Sequence, residues 1–263
     1  ILLFSNFAHG GFLVVGGYIC YYAMLSAGMD ITTAAVSAMA GAGVVAVFTD
    51  RLAYRPIRER SSRTIYLMIA SMGINIVIEN IFVVTVGGRF RALPAIFPSG
   101  SLDLGGIITA SYFDLFSLLI SAIFLVILQL FLIKTKWGLA IRAAAYNLRT
   151  AGLMGVNVNR LIAIVFFVAG VLAAVGGIFL SARYTLYPQM GGITIKAFIA
   201  AVIGGLGSLP GAVMGSLVLG LAEMLTTAYI SSQFRDILVF SMLILTLLFK
   251  PTGFFNKQIG EKV

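Results

Sequence analysis

The chain of 263 residues is 60% hydrophobic and only 10% charged, and its 18 Lys and Arg against nine Asp and Glu give a formal net charge of +9. Soluble domains carry roughly a quarter charged residues, so this composition excludes a soluble globular protein and indicates a polytopic membrane protein. The single His9 excludes a multi-histidine metal site.

Apolar runs follow one another along the chain, most of them near the roughly 20 residues that cross a hydrocarbon core. The predicted spans lie near residues 8–27, 31–49, 64–87, 112–133 and 161–182, followed by a longer stretch over 193–229 and a last run over 236–249. Their Gly and Ala content favours close helix packing. We therefore predict an all-α polytopic integral membrane bundle that forms one transmembrane domain over 1–263.

The amino terminus begins inside an apolar run. Ile1 is not an initiator Met, and no signal peptide with a basic start is present. We therefore expect the numbered chain to be a fragment truncated at its amino terminus.

Charged loops predict the orientation of the spans. Residues 50–63 contain five arginines, and residues 134–160 contain five Lys and Arg. Two predicted spans separate these loops, so both lie on one side, which the positive-inside rule makes cytoplasmic. The 88–111 loop is then external, and its Gly and Pro predict an irregular cap. Because the basic residues lie between spans, the positive charge is an orientation signal, and no nucleic-acid partner is expected.

The stretch 193–229 is predicted to be broken. The basic tail after residue 249 would be external if 193–229 were one span, and dividing it at GGLGSLPG, residues 204–211, returns the tail to the cytoplasm. A short segment interrupted by Gly and Pro is tolerated in a bilayer where it is buried in protein or lines a cavity. The bundle is therefore predicted to include short or broken half-spanning segments.

Nucleotide chemistry is not expected in this chain. No GxxxxGK[ST] motif occurs, and GGLGSLPG lacks the Lys and Ser/Thr that hold phosphate and magnesium. No nucleophile motif accompanies His9. We predict that this chain is not an enzyme, that it has no cofactor of its own, and that any ATP energy must come from another polypeptide.

One cytoplasmic loop is too polar to cross a bilayer. Residues 137–160 read WGLAIRAAAYNLRTAGLMGVNVNR, in which AIRAAAYNLRTA predicts one short helix that Gly152 and Gly155 end. Such a helix either docks in a groove of a cytoplasmic partner or lies at the interface and only connects two spans. The residues alone leave both interpretations open.

Four polar residues in or beside spans are candidates for lining a substrate pathway. Asn6 and His9, followed by two glycines, predict an unwound stretch that faces a cavity. Asn75 and Glu79 share a helix face, and an ionisable side chain inside a span is a functional candidate. The alternative is that these groups only brace neighbouring helices.

Glycines surround the predicted break. They serve either as tight packing positions or as a hinge during alternating access, and they are Gly204, Gly205, Gly207, Gly211 and Gly215. Lys196 is predicted at the external interface, and Glu223 near a surface.

Four blocks of the chain carry a family resemblance. They are NFAHGGFLVVGGY, WGLAIRAAAYNLRTAGLMGVNVNR, KAFIAAVIGGLGSLPGAVMGSLVLGLAE and DILVFSMLILTLLFKPTGFF, in this order. In them the sequence resembles the membrane permease subunits of bacterial branched-chain amino-acid ABC importers. An apolar span precedes the first block in that family, which agrees with the suspected truncation.

The resemblance implies a role for the 134–160 loop and a set of partners. Residues 140–155 would be the coupling element that docks on a cytoplasmic ATPase subunit, through Arg142, Ala143, Ala144, Asn147, Ala151, Leu153, Met154 and Gly155. The other implied partners are a homologous permease or a second copy, and a periplasmic solute-binding protein, with the chain multi-pass in the inner-membrane bilayer. The implied substrate is leucine, isoleucine, valine, or a related small amino acid or amide such as urea.

Two rival functions fit parts of the sequence. A stand-alone ion-coupled transporter or channel would use Glu79 and the broken segments, and a sugar-importing ABC permease would share the broad architecture. Transport by the chain without an ATPase would favour the first, and the ligand of the binding protein would decide the second.

Overall fold

The structure is a computed structural model that describes residues 5–60, 63–94, 100–104 and 108–254. Helices dominate these ranges, because long apolar runs in lipid must satisfy their backbone groups internally. The helices are α1 His9–Leu25, α2 Ile31–Thr49, α3 Arg55–Arg60, α4 Thr64–Val86, α5 Tyr112–Lys134, α6 Lys136–Tyr146, α7 Leu148–Leu153, α8 Val158–Arg183, α9 Thr194–Gly204, α10 Leu209–Tyr229 and α11 Arg235–Phe249.

Within the described residues, one π-helical turn and two 3₁₀ turns lie between these helices. A π-helical turn, Asp50–Tyr54, joins α2 to α3, and 3₁₀ turns cover Pro188–Ile193 and Ser232–Phe234.

The predicted irregular cap over 88–111 is corrected in part, because the loop contains a β-hairpin. Strand β1, Ser101–Leu104, pairs antiparallel with β2, Ile108–Ser111, with Leu102 opposite Ala110. Residues 95–99 and 105–107 of this loop lie outside the described ranges.

Six helical segments in the described ranges are long and apolar enough to cross a membrane. They are Ile31–Arg60, Thr64–Val86, Tyr112–Lys134, Val158–Arg183, Leu209–Tyr229 and Ser232–Phe249, and the apolar segments His9–Leu25 and Pro188–Gly204 are shorter. The predicted polytopic helical membrane protein is confirmed.

The chain divides into two compact units, Ile1–Gly192 and Ile193–Val263. In the first unit, α1, α2 and α8 pack against one another and α4 packs against α1. Small residues permit this close approach: a Cβ on Gly177 of α8 would overlap the carbonyl oxygen of Leu13, and one on Gly170 would overlap the backbone at Ala42. The core of this unit therefore consists of helix backbones in contact as well as apolar side chains.

In the second unit, α10 and α11 pack against α9. With 11 residues, α9 is about 17 Å long, roughly half of the ~30 Å hydrocarbon core. Residues 205–208 are not helical, and Gly205 and Gly207 have φ of 110° and 96°, a region that favours glycine. The predicted break in 193–229 is therefore present, between Gly204 and Leu209.

Candidate functional site

The loop between α5 and α8 forms two helices instead of the single helix predicted. Helix α6 ends at Tyr146 and α7 begins at Leu148. Between them Asn147 is extended, with φ −152° and ψ 107°, and its Oδ1 accepts a hydrogen bond of 3.0 Å from the backbone N–H of Thr150. An asparagine that caps a helix stabilises a start there. The loop therefore bends at Asn147.

Two of the eight predicted docking residues face inward. Ala144 is 1% exposed and Ala151 is 5% exposed, and both belong to a small apolar cluster with the fully buried Leu161 of α8. Their side chains are therefore taken up by packing within the chain. They hold α6 and α7 against the start of α8, and any contribution of these two alanines to docking would be through the shape of the loop.

The other predicted docking residues lie on the surface. Arg142, Ala143, Asn147, Leu153, Met154 and Gly155 are all exposed. Leu153 and Met154 are 84% and 82% exposed, and Tyr146, which the predicted set omitted, is 86% exposed. Exposed apolar groups in a polar loop indicate an interaction surface. We call Tyr146, Leu153 and Met154 the loop patch.

The stretch before α1 is unwound and anchored by long-range hydrogen bonds. Oδ1 of Asn6 accepts a hydrogen bond of 2.9 Å from the Tyr54 hydroxyl and one of 3.2 Å from the Ala8 N–H. The N–H of Phe7 donates to Oγ of Ser71 at 3.1 Å. Asn6 therefore ties the start of α1 to the π-helical turn that follows α2, and Phe7 ties it to α4.

Helix α4 presents a polar stripe beside this unwound stretch. Ser71, Asn75 and Glu79 are spaced by four residues, so they follow one helix face. Nδ2 of Asn75 donates to Oε1 of Glu79 at 2.8 Å, while its buried Oδ1 has no hydrogen-bond partner among the described residues. Because a buried unpaired acceptor is unfavourable, this oxygen is a natural place for a donor group.

Two glycines bring backbone close to the Glu79 carboxylate. A Cβ on Gly191 would lie 2.9 Å from the carbonyl oxygen of Gly10 and 3.1 Å from Oε1 of Glu79. His9 begins α1 next to Gly10 and is half-buried, and its N–H donates to the Asn6 carbonyl at 3.3 Å. The structure thus brings Asn6, His9, Asn75 and Glu79 to one region between α1 and α4, which we call the polar seam.

Sequence reasoning missed Ser71 and Tyr54 as members of the polar seam. Ser71 lies one helical turn before Asn75, which was a usable signal, since a third polar residue at that spacing extends the face. The Tyr54 contact crosses 48 residues of sequence, and no local pattern could have indicated it.

The predicted hinge glycines fall into two groups. Gly204, Gly211 and Gly215 lie where α9 and α10 touch: a Cβ on Gly211 would be 2.5 Å from the Gly204 carbonyl oxygen, and one on Gly215 would be 2.7 Å from the Gly204 nitrogen. Gly205 and Gly207 lie in the turn between the helices. The first three glycines therefore allow α9 and α10 to pack closely, and Gly205 and Gly207 allow the chain to turn between the two helices.

Lys196 joins the three helices of the second unit. Its Nζ lies 2.8 Å from Oε1 of Glu223 on α10 and 2.8 Å from Oδ1 of Asp236 on α11. The Lys196 and Glu223 side chains are 29% and 22% exposed. The sequence placed Lys196 at the external interface and Glu223 near a surface, and the structure adds that the two side chains are partly buried and paired with each other.

We expect Lys196→Met to lower the thermal stability of the detergent-purified protein. The change leaves Glu223 without its cation inside an apolar helix, and losing a hydrogen bond to a charged group costs about 1.5–3 kcal/mol. The double variant Lys196→Met/Glu223→Gln is expected to recover part of the loss, since it removes the unpaired charge. Melting midpoints measured by intrinsic fluorescence test this, and a double variant less stable than the single would contradict it.

The family described as Branched-chain amino acid transport system / permease component matches residues 2–247. The high-affinity branched-chain amino acid transport system permease protein LivH of Escherichia coli (strain K12) is 37% identical over 98% of this chain and 87% of its own length. The corresponding protein BraD of Pseudomonas aeruginosa is 33% identical over 98% of this chain and 88% of its own.

A more distant likeness covers part of the chain. The xylose transport system permease protein XylH of Escherichia coli (strain K12) is 38% identical over 94 residues, which is 33% of this chain and 24% of that protein. No solved structure matches the chain significantly.

Proposed function

Given that the chain belongs to the family of permease components of branched-chain amino acid transport systems, we propose that ATPase subunits dock on its 134–160 loop and that the polar seam lines the route of the amino acid. The chain is a multi-pass membrane permease of an ABC transport system and is not itself catalytic. Membership in such a system implies ATPase and binding-protein partners.

The loop patch supports the docking proposal. Tyr146, Leu153 and Met154 are each more than four-fifths exposed, and burying an apolar side chain of this size stabilises a complex by about 1.5–3 kcal/mol. Arg142 and Arg149 are exposed beside them and can meet acidic groups of an ATPase. Two copies of ATPase would bind ATP and Mg²⁺, close on each other and move this loop in the permease and in its partner, which is a homologous chain or a second copy.

The polar seam supports the pathway proposal. An amino-acid zwitterion brings an ammonium group that needs acceptors, and the carboxylate of Glu79 and the unpaired Oδ1 of Asn75 supply them. The apolar side chain of leucine, isoleucine or valine would lie against the apolar residues that flank this stripe. Small related amino acids or amides would fit the same acceptors.

ATP-driven uptake of leucine tests the function as a whole. Vesicles that contain the permease with its ATPase and binding protein are expected to accumulate leucine only when ATP is supplied on the cytoplasmic face. Uptake driven by an ion gradient in vesicles that contain this chain alone would contradict the proposal and favour a stand-alone transporter.

We expect Glu79→Gln to reduce leucine uptake by about tenfold or more, since a hydrogen bond to a charged group contributes about 1.5–3 kcal/mol. Co-purification of the ATPase should not change, because Glu79 lies on α4, away from the loop patch in sequence. The matched control is Asn80→Ala, which alters a neighbouring exposed residue whose side chain donates a hydrogen bond to the Ile76 carbonyl of its own helix. Leucine uptake at the wild-type rate by the Glu79→Gln variant would contradict the pathway role and would mean that Glu79 only stabilises helix packing.

A further inference from the structure

A second polar site lies at the arginine-rich end of α2 and α8. It is a cavity of about 490 Å³ whose walls include Arg51, Arg55 and Arg160. Its remaining lining includes Ile164 and Phe167 of α8, which belong to the membrane-spanning part of that helix. The cavity is therefore basic at the loop end and apolar toward the hydrocarbon.

Nearby carboxylates neutralise little of the positive charge that the arginines bring to this cavity. Asp50 also lines the cavity, but it is 2% exposed and accepts a hydrogen bond of 3.1 Å from Nη1 of Arg58. Arg55 pairs with Glu59 at 2.8 Å, and both side chains are about half exposed, so solvent weakens this pair. Arg51 and Arg160 have no side-chain ion pair or hydrogen bond within the described ranges.

Local backbone geometry orients this cluster. The π-helical turn Asp50–Tyr54 interrupts the long helix at the cavity and is followed at once by Arg55. Such turns recur at functional sites. On the opposite wall, α8 begins at Val158, so the positive end of its dipole adds to the charge of Arg160.

We propose that this cavity binds an anionic phospholipid, with the phosphate on Arg51 and Arg160 and an acyl chain along Ile164 and Phe167. Basic pockets between spans on the cytoplasmic side are sites for such headgroups, and the charged loops predict that this end is cytoplasmic. The apolar wall decides between ligands. A soluble phosphate would engage the arginines but would not cover the exposed part of Phe167, which is 40% exposed.

Native mass spectrometry of the full chain, purified in detergent with its partner subunits, tests the proposal with phosphatidylglycerol and phosphatidylcholine as probes. Wild type should retain phosphatidylglycerol in preference. Each arginine near a membrane surface is worth about 1 kcal/mol, so Arg51→Gln/Arg160→Gln should weaken binding of phosphatidylglycerol about 25-fold. The matched control is Arg60→Gln, an exposed arginine of the same basic loop that does not line the cavity.

Two further measurements distinguish a lipid from other anionic ligands. Phe167→Ala should weaken the retention of phosphatidylglycerol but should not change binding of inorganic phosphate. Displacement of the lipid by millimolar inorganic phosphate, equal retention of both lipids by wild type, or loss of ATPase association without loss of lipid in the double arginine variant would each overturn the proposal. The last result would assign the arginines to a protein contact.

Discussion

Replacing Ala143 by Trp is expected to weaken association with the ATPase about 100-fold or more and to abolish ATP-driven uptake. Ala143 is exposed near the end of α6, so the added ring projects from the loop without entering the core. An indole group at a close-packed contact separates the two surfaces, and central interface positions are worth about 2–4 kcal/mol or more. Co-purification of the tagged permease with its ATPase measures the effect.

Two controls separate this effect from misfolding. Ala143→Ser keeps the side chain small and should leave association unchanged. Leu153→Asp removes apolar area at a second point of the loop patch and should weaken association as well, while the protein stays in the membrane with an unchanged melting midpoint. If the Ala143→Trp and Leu153→Asp variants both co-purify with as much ATPase as the wild type does, the docking proposal is contradicted.

Replacing Gly215 by Ala is expected to destabilise the second unit by about 3 kcal/mol, at the upper end of overpacking effects. The new methyl group would overlap the Ala200 carbonyl oxygen and lie 2.7 Å from the Gly204 nitrogen. Both neighbours are backbone atoms of α9, so relief requires the two helices to separate. Melting midpoints and the yield of folded protein measure the loss.

The same helix supplies a matched control for the Gly215 change. Gly220 also belongs to α10, and a Cβ there would have nothing within 4 Å among the described residues. Gly220→Ala should therefore leave stability unchanged or raise it slightly, since Ala favours helix over Gly. Equal destabilisation by the two changes would show that loss of glycine, and not the contact with α9, is responsible.

The positions of the spans could be predicted from sequence because each span needs about 20 consecutive apolar residues to cross the hydrocarbon core. The apolar run predicted over 64–87 appears as Thr64–Val86, and the break predicted at 204–211 appears between Gly204 and Leu209. In both cases a local signal decides the outcome, either an uninterrupted apolar run or a cluster of Gly and Pro.

Features that depend on distant contacts could not be predicted in the same way. Ala143 and Ala144 are adjacent and chemically identical, yet Ala143 is exposed and Ala144 is buried, because Ala144 faces the cluster that includes Leu161. The bend at Asn147 was not predicted, because the strong helix formers before it favour one continuous helix. Likewise, the hydrogen bond between the Phe7 N–H and Ser71 joins residues 64 positions apart, which sets part of the polar seam and leaves no trace in local sequence.

The cluster of Ala144, Ala151 and Leu161 has a mechanical consequence. It fastens both halves of the bent loop to the first turn of α8, which is 26 residues long and packs along α1 and α2. A displacement of Leu153 or Met154 would therefore also move the start of α8, because the loop is packed against it. With an ATPase docked there as proposed, a displacement of the loop would pass into α8 and from α8 to α1, one of the two helices that flank the polar seam.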